Sequence, residues 1–430
     1  MRVLFTVWPA PAHLNTMVPL ALALQAAGHE VRVASHPDLT GAVTAAGLTA
    51  VALDATGGVP ALSTGGDYVP GEAERERLAA VWDVAPNERR QWTMVTTYLL
   101  TTLRMFHPVR LAPGDPHPGV DGLVEFARAW RPHLVLWDPC WPAAAVAARC
   151  SGAAQARLLW GPDYWQWARD KCDTHAAGMA AAGVTDPLLE PLRTAARRYD
   201  VEPDDELLFG QWTIDPTLED VRLPATTRTL SMRRLPHTAP AVVPDWLLRP
   251  SPRPRVALSL GMSGRDFWSN DAMVGALLET VAGLDVEVVA TLNERQLAGL
   301  KVPDNLRVIS YLPLNELLAH CSAIIHHGGG GTFTAAVAHR VPQLIEVDDG
   351  PEAEFYAACA VRHGAGLPLS HTKDSVPEMR ERLLSVLNDP SFQRGARSLY
   401  ADWAAMPNPR DVVPALERLV ELSAPSAVRA

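Results

Sequence analysis

The chain has 430 residues, too many for one ordinary domain at ~150 residues each, and its 48% hydrophobic, 20% charged composition supplies apolar material for two cores. A formal net charge of -10 excludes a duplex-binding surface and hence a nucleic-acid partner, because such a surface needs clustered cations to displace counterions. With Lys scarce and Arg dispersed, any anion site has to be built from backbone amides, helix ends and single His or Arg side chains.

In chain order, the N-terminus MRVLFTVWPAPAHLN carries one Arg and then a strand-length apolar run, unlike a signal peptide. Residues 2–7 read as a buried strand, 8–15 as a loop, and 16–27 as a helix closed by Gly28 in a left-handed cap. Its apolar run, 18–27, is about half the ~20 residues needed to cross a bilayer, so no membrane span is expected. Further strands are expected at 30–35, 48–53, 133–137 and 155–160. Between 55 and 120 the strand rhythm stops, leaving Gly/Pro/Thr-rich loops and helices around 72–82 and 89–106, an insertion of the kind that serves a binding site.

Six prolines between 236 and 254 mark an interdomain linker. The strand rhythm resumes at 255–260, 285–291, 306–310, 323–327 and 342–347, and a helix follows at 411–422 before a small-residue tail. Strands alternating with helices imply parallel sheets, twice over: domains at 1–235 and 255–410, a linker at 236–254, and a C-terminal helix and tail at 411–430. The five cysteines are widely spaced with no C-x-x-C pair, which points to reduced thiols and the cytoplasm.

The sharpest chemical feature is AIIHHGGGGTFTAAVA, residues 323–338: a buried strand, four glycines, and a helix beginning at Thr332. Free N–H groups at a helix start attract phosphate, and glycine lets the backbone come close. The two histidines at the strand end can donate to phosphate oxygens. Neither G-x-x-x-x-G-K-[ST] nor G-x-G-x-x-G with a downstream acid is present, which weakens the NTPase and dehydrogenase readings.

On these residues the chain resembles the inverting nucleotide-sugar glycosyltransferases built from two facing Rossmann-like domains (the GT-B fold). His326, Gly328, Gly329, Gly330, Gly331 and Thr332 fall in the diphosphate signature, while Pro342-Gln343 and Ser259-Leu-Gly261-Met-Ser263 match segments bordering the donor. The segments 156–163 (ARLLWGPD) and 210–216 (GQWTIDP) are similar to antibiotic-pathway enzymes of the macrolide desosaminyltransferase type. The resemblance implies a dTDP-activated deoxysugar donor, a hydrophobic polyketide acceptor, no metal or other cofactor, a possible homodimer and, in some such enzymes, a cytochrome-P450-like activator protein. Where the family carries an acid that reads sugar hydroxyls, this chain has EVDDGPEA, and Asp349 or Glu352 could serve, with Glu352 favoured. The pair Asp348-Asp349 reads as a solvated turn rather than a metal site.

Transfer to a hydroxyl needs a general base and stabilisation of the departing diphosphate. His13 follows the first strand, at the sheet end where α/β ligands bind, and the resemblance also places a catalytic histidine in that loop. Its orienting carboxylate is Asp115, Asp121 or Asp138, with Asp138 preferred for its place at a strand end. Ten of the thirteen tryptophans precede residue 235, which suggests an apolar acceptor cleft. The rival readings are a nucleotide-sugar 2-epimerase and a catalytically degenerate sugar-nucleotide-binding protein.

Overall fold

A computed structural model describes residues 1–53, 68–106, 115–117, 119–261, 271–348, 350 and 352–423. They form two compact units, one of residues 1–217, 222–232 and 407–430, the other of residues 218–221 and 233–406.

The first unit holds a seven-stranded parallel sheet of β1 (Arg2–Thr6), β2 (Glu30–Ser35), β3 (Thr49–Ala52), β4 (Leu134–Trp137), β5 (Ala154–Leu158), β6 (Trp212–Asp215) and β7 (Thr229–Ser231), ordered β3-β2-β1-β4-β5-β6-β7. The second holds a six-stranded parallel sheet of β8 (Arg255–Ser259), β9 (Glu287–Thr291), β10 (Leu306–Val308), β11 (Ala323–His326), β12 (Gln343–Glu346) and β13 (Gly366–Leu369), ordered β10-β9-β8-β11-β12-β13. Strands covered on both faces are mostly apolar, with polar residues at their ends, and β4 (LVLW), β8 (RVALS) and β11 (AIIH) are buried at every position. In each sheet the strand order reverses once, between β1 and β4 and between β8 and β11, and ligands of open α/β sheets bind outside the carboxyl ends at such switch points.

Two expectations need correction, three strands went unforeseen, and the expected C-terminal helix is present. The first helix runs from Pro11 to Ala26, so His13 stands in its first turn rather than in a loop; Pro11 opens it because a proline at the first position has the helical φ preset and lacks only an N–H that would be unsatisfied anyway. β6 (WTID), β7 (TLS) and β13 (GLPL) went unforeseen because polar residues, or in β13 a glycine and a proline, interrupt their apolar pattern. The proline-rich segment is no free linker: it belongs to the second unit, where Leu247 is buried with Ala257, Val289 and Leu317, and the guanidinium groups of Arg255 and Arg307 lie over the Trp246 ring. The C-terminal helix expected at 411–422 is present as Pro409–Ser423 and belongs to the first unit, burying Val412, Val413 and Leu416 in the core that also contains Val18 and Leu24 of the first helix.

Candidate active site

At the switch point of the first sheet, β1 leads into His13 and β4 ends just before Asp138. The Asp138 carboxylate is fully buried and accepts the backbone N–H groups of Trp8 (3.2 Å) and Cys140 (2.9 Å). Its Oδ2 lies 2.7 Å from His13 Nδ1. An ionised carboxylate only accepts, so His13 Nδ1–H donates to it and Nε2 is left with its lone pair. Of the other two carboxylates considered, Asp121 accepts from Arg198, from Tyr199 and from the His117 N–H, and neither it nor Asp115 is bonded to His13.

His13 is only 7% exposed, and Tyr98 is what covers it: its hydroxyl lies 2.9 Å from His13 Nε2 and donates to that lone pair. Tyr98 sits in a π-helical turn, Met94–Leu99, between the α-helices Arg89–Thr93 and Leu100–Phe106, where one unbroken helix is expected from sequence. Trp160 completes the surround, its ring 5.3 Å from His13 and 5.7 Å from Tyr98. Sequence reasoning missed Tyr98, because a tyrosine in a run without strand rhythm carries no pattern. Of the tryptophans in the first unit, Trp8, Trp137 and Trp141 are buried in the core, whereas Trp160 and Trp165 line a small pocket with Leu99, Pro139 and Tyr164.

At the switch point of the second sheet, β11 ends in His326 and the helix Gly330–Ala338 begins four residues later, with no side chain capping it and no acid in its first turn. His326 is fully buried and spends both ring nitrogens inside the protein: Nδ1 accepts the Gly328 N–H at 3.1 Å and Nε2 donates to Gln343 Oε1 at 2.9 Å. Burial and the neighbouring His327 lower its pKa to about 3. The expectation that His326 donates to phosphate is therefore corrected: it fastens the glycine loop to β12. His327 is the ring at the loop surface, stacked over Gly261 and Gly329, with a buried Nδ1 that has no hydrogen-bond partner among the described residues. Burial lowers its pKa to about 4, a backbone bond with Ser259 opposing.

The glycines follow from this packing. Gly328 has φ +77°, and a Cβ there would strike Ala353 and come within 3.2 Å of Ile345; Gly261 has φ +70°, and a Cβ there would stand 2.8 Å from His327 Nε2. Ser259 is buried at the end of β8, its hydroxyl accepting from Thr291 at 2.9 Å, and Thr332 is buried in the first helical turn. Glu352 lies beside this loop, its Oε1 buried without a partner among the described residues; burial raises its pKa to about 7, Arg234 opposing. Ser263 and Asp349 fall outside the described residues. Asp348 is no solvated turn: it accepts from Ser370, from the Thr372 N–H and from the Thr372 hydroxyl, and His371 bonds the buried Glu346 at 2.8 Å.

Residues 22–261 match the N-terminal domain, and residues 275–419 the C-terminal domain, of the erythromycin biosynthesis protein CIII-like family. The chain is 40% identical to an aclacinomycin-T 2-deoxy-L-fucose transferase of Streptomyces galilaeus over 97% of its own length and 96% of the relative's. It is 40% identical to a 10-deoxymethynolide desosaminyltransferase of Streptomyces venezuelae, 97% of each chain being covered. Among solved structures it is similar to a spinosyn forosaminyltransferase, at 35% identity and TM-score 0.79 over 98% of this chain and 99% of that one. It is also similar to the glycosyltransferase VinC, solved in complex with dTDP, at 34% identity and TM-score 0.77 over 98% and 100%. With two parallel-sheet units that match GT-B structures, a buried His–Asp pair in one and a glycine-rich helix start in the other, the chain belongs to the erythromycin biosynthesis protein CIII-like family and is a glycosyltransferase.

Proposed function

We propose that this glycosyltransferase moves a deoxysugar from a dTDP-activated donor onto a hydroxyl of a hydrophobic polyketide-type aglycone, with inversion at the anomeric carbon. The carrying observation is the uncapped glycine-rich helix start at the second switch point, in a chain related over 97% of its length to deoxysugar transferases. The relatives named above are transferases, and none favours an epimerase or a degenerate binding protein.

The chemistry follows from the two sites. Asp138 fixes the His13 ring and its tautomer, so Nε2 receives the acceptor proton as the acceptor oxygen attacks the anomeric carbon. The bond from that carbon to the diphosphate oxygen breaks as the new bond forms on the opposite face, which inverts the centre. The departing diphosphate meets the free N–H groups of the helix Gly330–Ala338 and its positive dipole end. His327 packs over Gly261 and Gly329 and so holds the loop that presents these N–H groups, its one N–H bonded to the Ser259 backbone. For the acceptor to reach Nε2, the Tyr98 hydroxyl has to vacate that nitrogen, since a ring nitrogen has one in-plane lone pair. Glu352 is the acid positioned to read sugar hydroxyls.

Calorimetric titration with dTDP and UDP tests the donor half directly, run with and without a P450-like partner. Micromolar binding that prefers thymine over uracil and weakens in His327→Ala supports the reading. No binding of either nucleotide under both conditions removes its foundation.

A further inference from the structure

Both histidines of the glycine loop are neutral at pH 7, burial having lowered the pKa of His326 to about 3 and of His327 to about 4. Each has a single ring N–H, spent on Gln343 and on the Ser259 backbone respectively, and neither supplies positive charge to a diphosphate. A full cation nevertheless stands at the loop. Arg234 Nη1 lies 3.0 Å from where a Cβ on Gly330 would be, and Nη2 lies 3.7 Å from the same position on Gly331. The guanidinium therefore fills the space beside the first turn of the helix Gly330–Ala338, and Gly330 has no room for a side chain because Arg234 and the Tyr356 hydroxyl already occupy it.

The backbone holds this arrangement. The Trp403 indole N–H donates to the Arg234 carbonyl at 3.0 Å, and the neighbouring Arg233 donates to the Ala404 carbonyl at 2.8 Å while lying over the Trp403 ring. Residues 233 and 234 are thus pinned to the helix Pro390–Ala405, with the Arg234 side chain directed at the glycine loop. Glu352, whose Oε1 is buried and unpartnered among the described residues, interacts electrostatically with the same guanidinium. Glu352, with its pKa at about 7, is only partly ionised at neutral pH, so the guanidinium and the uncapped helix start together keep a net positive character that an incoming anion meets.

We propose that Arg234 is a diphosphate-binding residue of the donor site, its planar fork bonding the phosphate oxygens at the start of the helix Gly330–Ala338. The inference rests on the donor-site reading above and deepens it. Charge on the leaving diphosphate grows as the bond to the sugar breaks, so a fixed guanidinium favours the transition state over the bound donor. The same group faces Glu352 and opposes the rise that burial imposes on its pKa, which stands at about 7.

The test compares wild type, Arg234→Gln and Arg234→Lys, with dTDP titrated by calorimetry and thymidine, which lacks phosphate, by ligand-observed NMR. The expected result is a loss of dTDP affinity of about 10- to 100-fold in Arg234→Gln, the size of a lost charge-assisted bond pair, with thymidine binding unchanged. Arg234→Lys keeps the charge without the fork and falls between the two. It also serves as the second variant if Arg234→Gln does not fold. Wild-type dTDP affinity in the folded variants, or equal losses for dTDP and thymidine, overturns the proposal. Failure of the wild type itself to bind dTDP removes instead the donor-site reading on which the proposal stands.

Discussion

His13 carries two bonds that pull in different functional directions. The one to Asp138 prepares a base, and the one from Tyr98 occupies it. His13→Ala is expected to lower kcat by about 10²- to 10⁴-fold with little change in donor KM, and Asp138→Asn to act in the same direction by allowing the wrong tautomer, both read by steady-state kinetics. Tyr98→Phe keeps the ring against Trp160 but frees Nε2. We expect a lower acceptor KM with kcat preserved; a fall in kcat comparable to His13→Ala would mean that the phenol takes part in the proton transfer. At this scale the sequence was legible for Asp138, directly after β4, and for His13, in the element that follows β1. It was illegible where partners come from unpatterned stretches, as with Tyr98 and Arg234. The two adjacent histidines also could not be told apart in sequence, because their difference is packing: His326 faces Gln343 under the loop, whereas His327 lies over Gly261 and Gly329.

The glycine loop is the element whose geometry matters most, and its sequence shows why. Gly328→Ala forces a side chain into a positive φ and against Ala353, which costs roughly 1–3 kcal/mol by strain at a special backbone position. Thermal unfolding should show the second unit destabilised, with dTDP binding weakened along with it. The loop also sets an acid limit. His326 and His327 have pKa values in the fold below the ordinary 6.5, so the unfolded chain takes up protons first as the pH falls. Their contribution is fully present above pH 6.5 and is lost as the pH falls through that value towards 3. Denaturant midpoints measured across that range should decline, and His326→Gln should flatten the decline; a wild-type midpoint flat from pH 6.5 to 4 would contradict this. Glu352 has the opposite sign, its stability present at low pH and lost as the pH rises through about 7. Strands with an uninterrupted apolar run, such as β1, β4 and β11, were legible at this scale, while β6 (WTID), β7 (TLS) and β13 (GLPL) were not, since polar residues, or a glycine and a proline, break their pattern and the neighbouring strands define them.

For the whole molecule, alternation of strand and helix announced two parallel-sheet units, and the switch points placed each half of the chemistry at a sheet's carboxyl end. The chain's path between units was harder to read. Prolines suggested a linker where the chain is packed into the second unit, because Leu247 and Trp246 anchor it and proline suits an extended ordered segment. The C-terminal helix likewise has an apolar face that sequence shows but does not address; it is the core around Leu24 that receives Leu416. The central claim is deoxysugar transfer, and its most direct measurement is mass spectrometry of the purified protein incubated with dTDP-deoxysugars and a panel of macrolide and aromatic aglycones, beside His13→Ala. A glycosylated aglycone and stoichiometric dTDP are expected with wild type, and neither above background with His13→Ala. Sugar release without an aglycone, or equal product from both proteins, would contradict it.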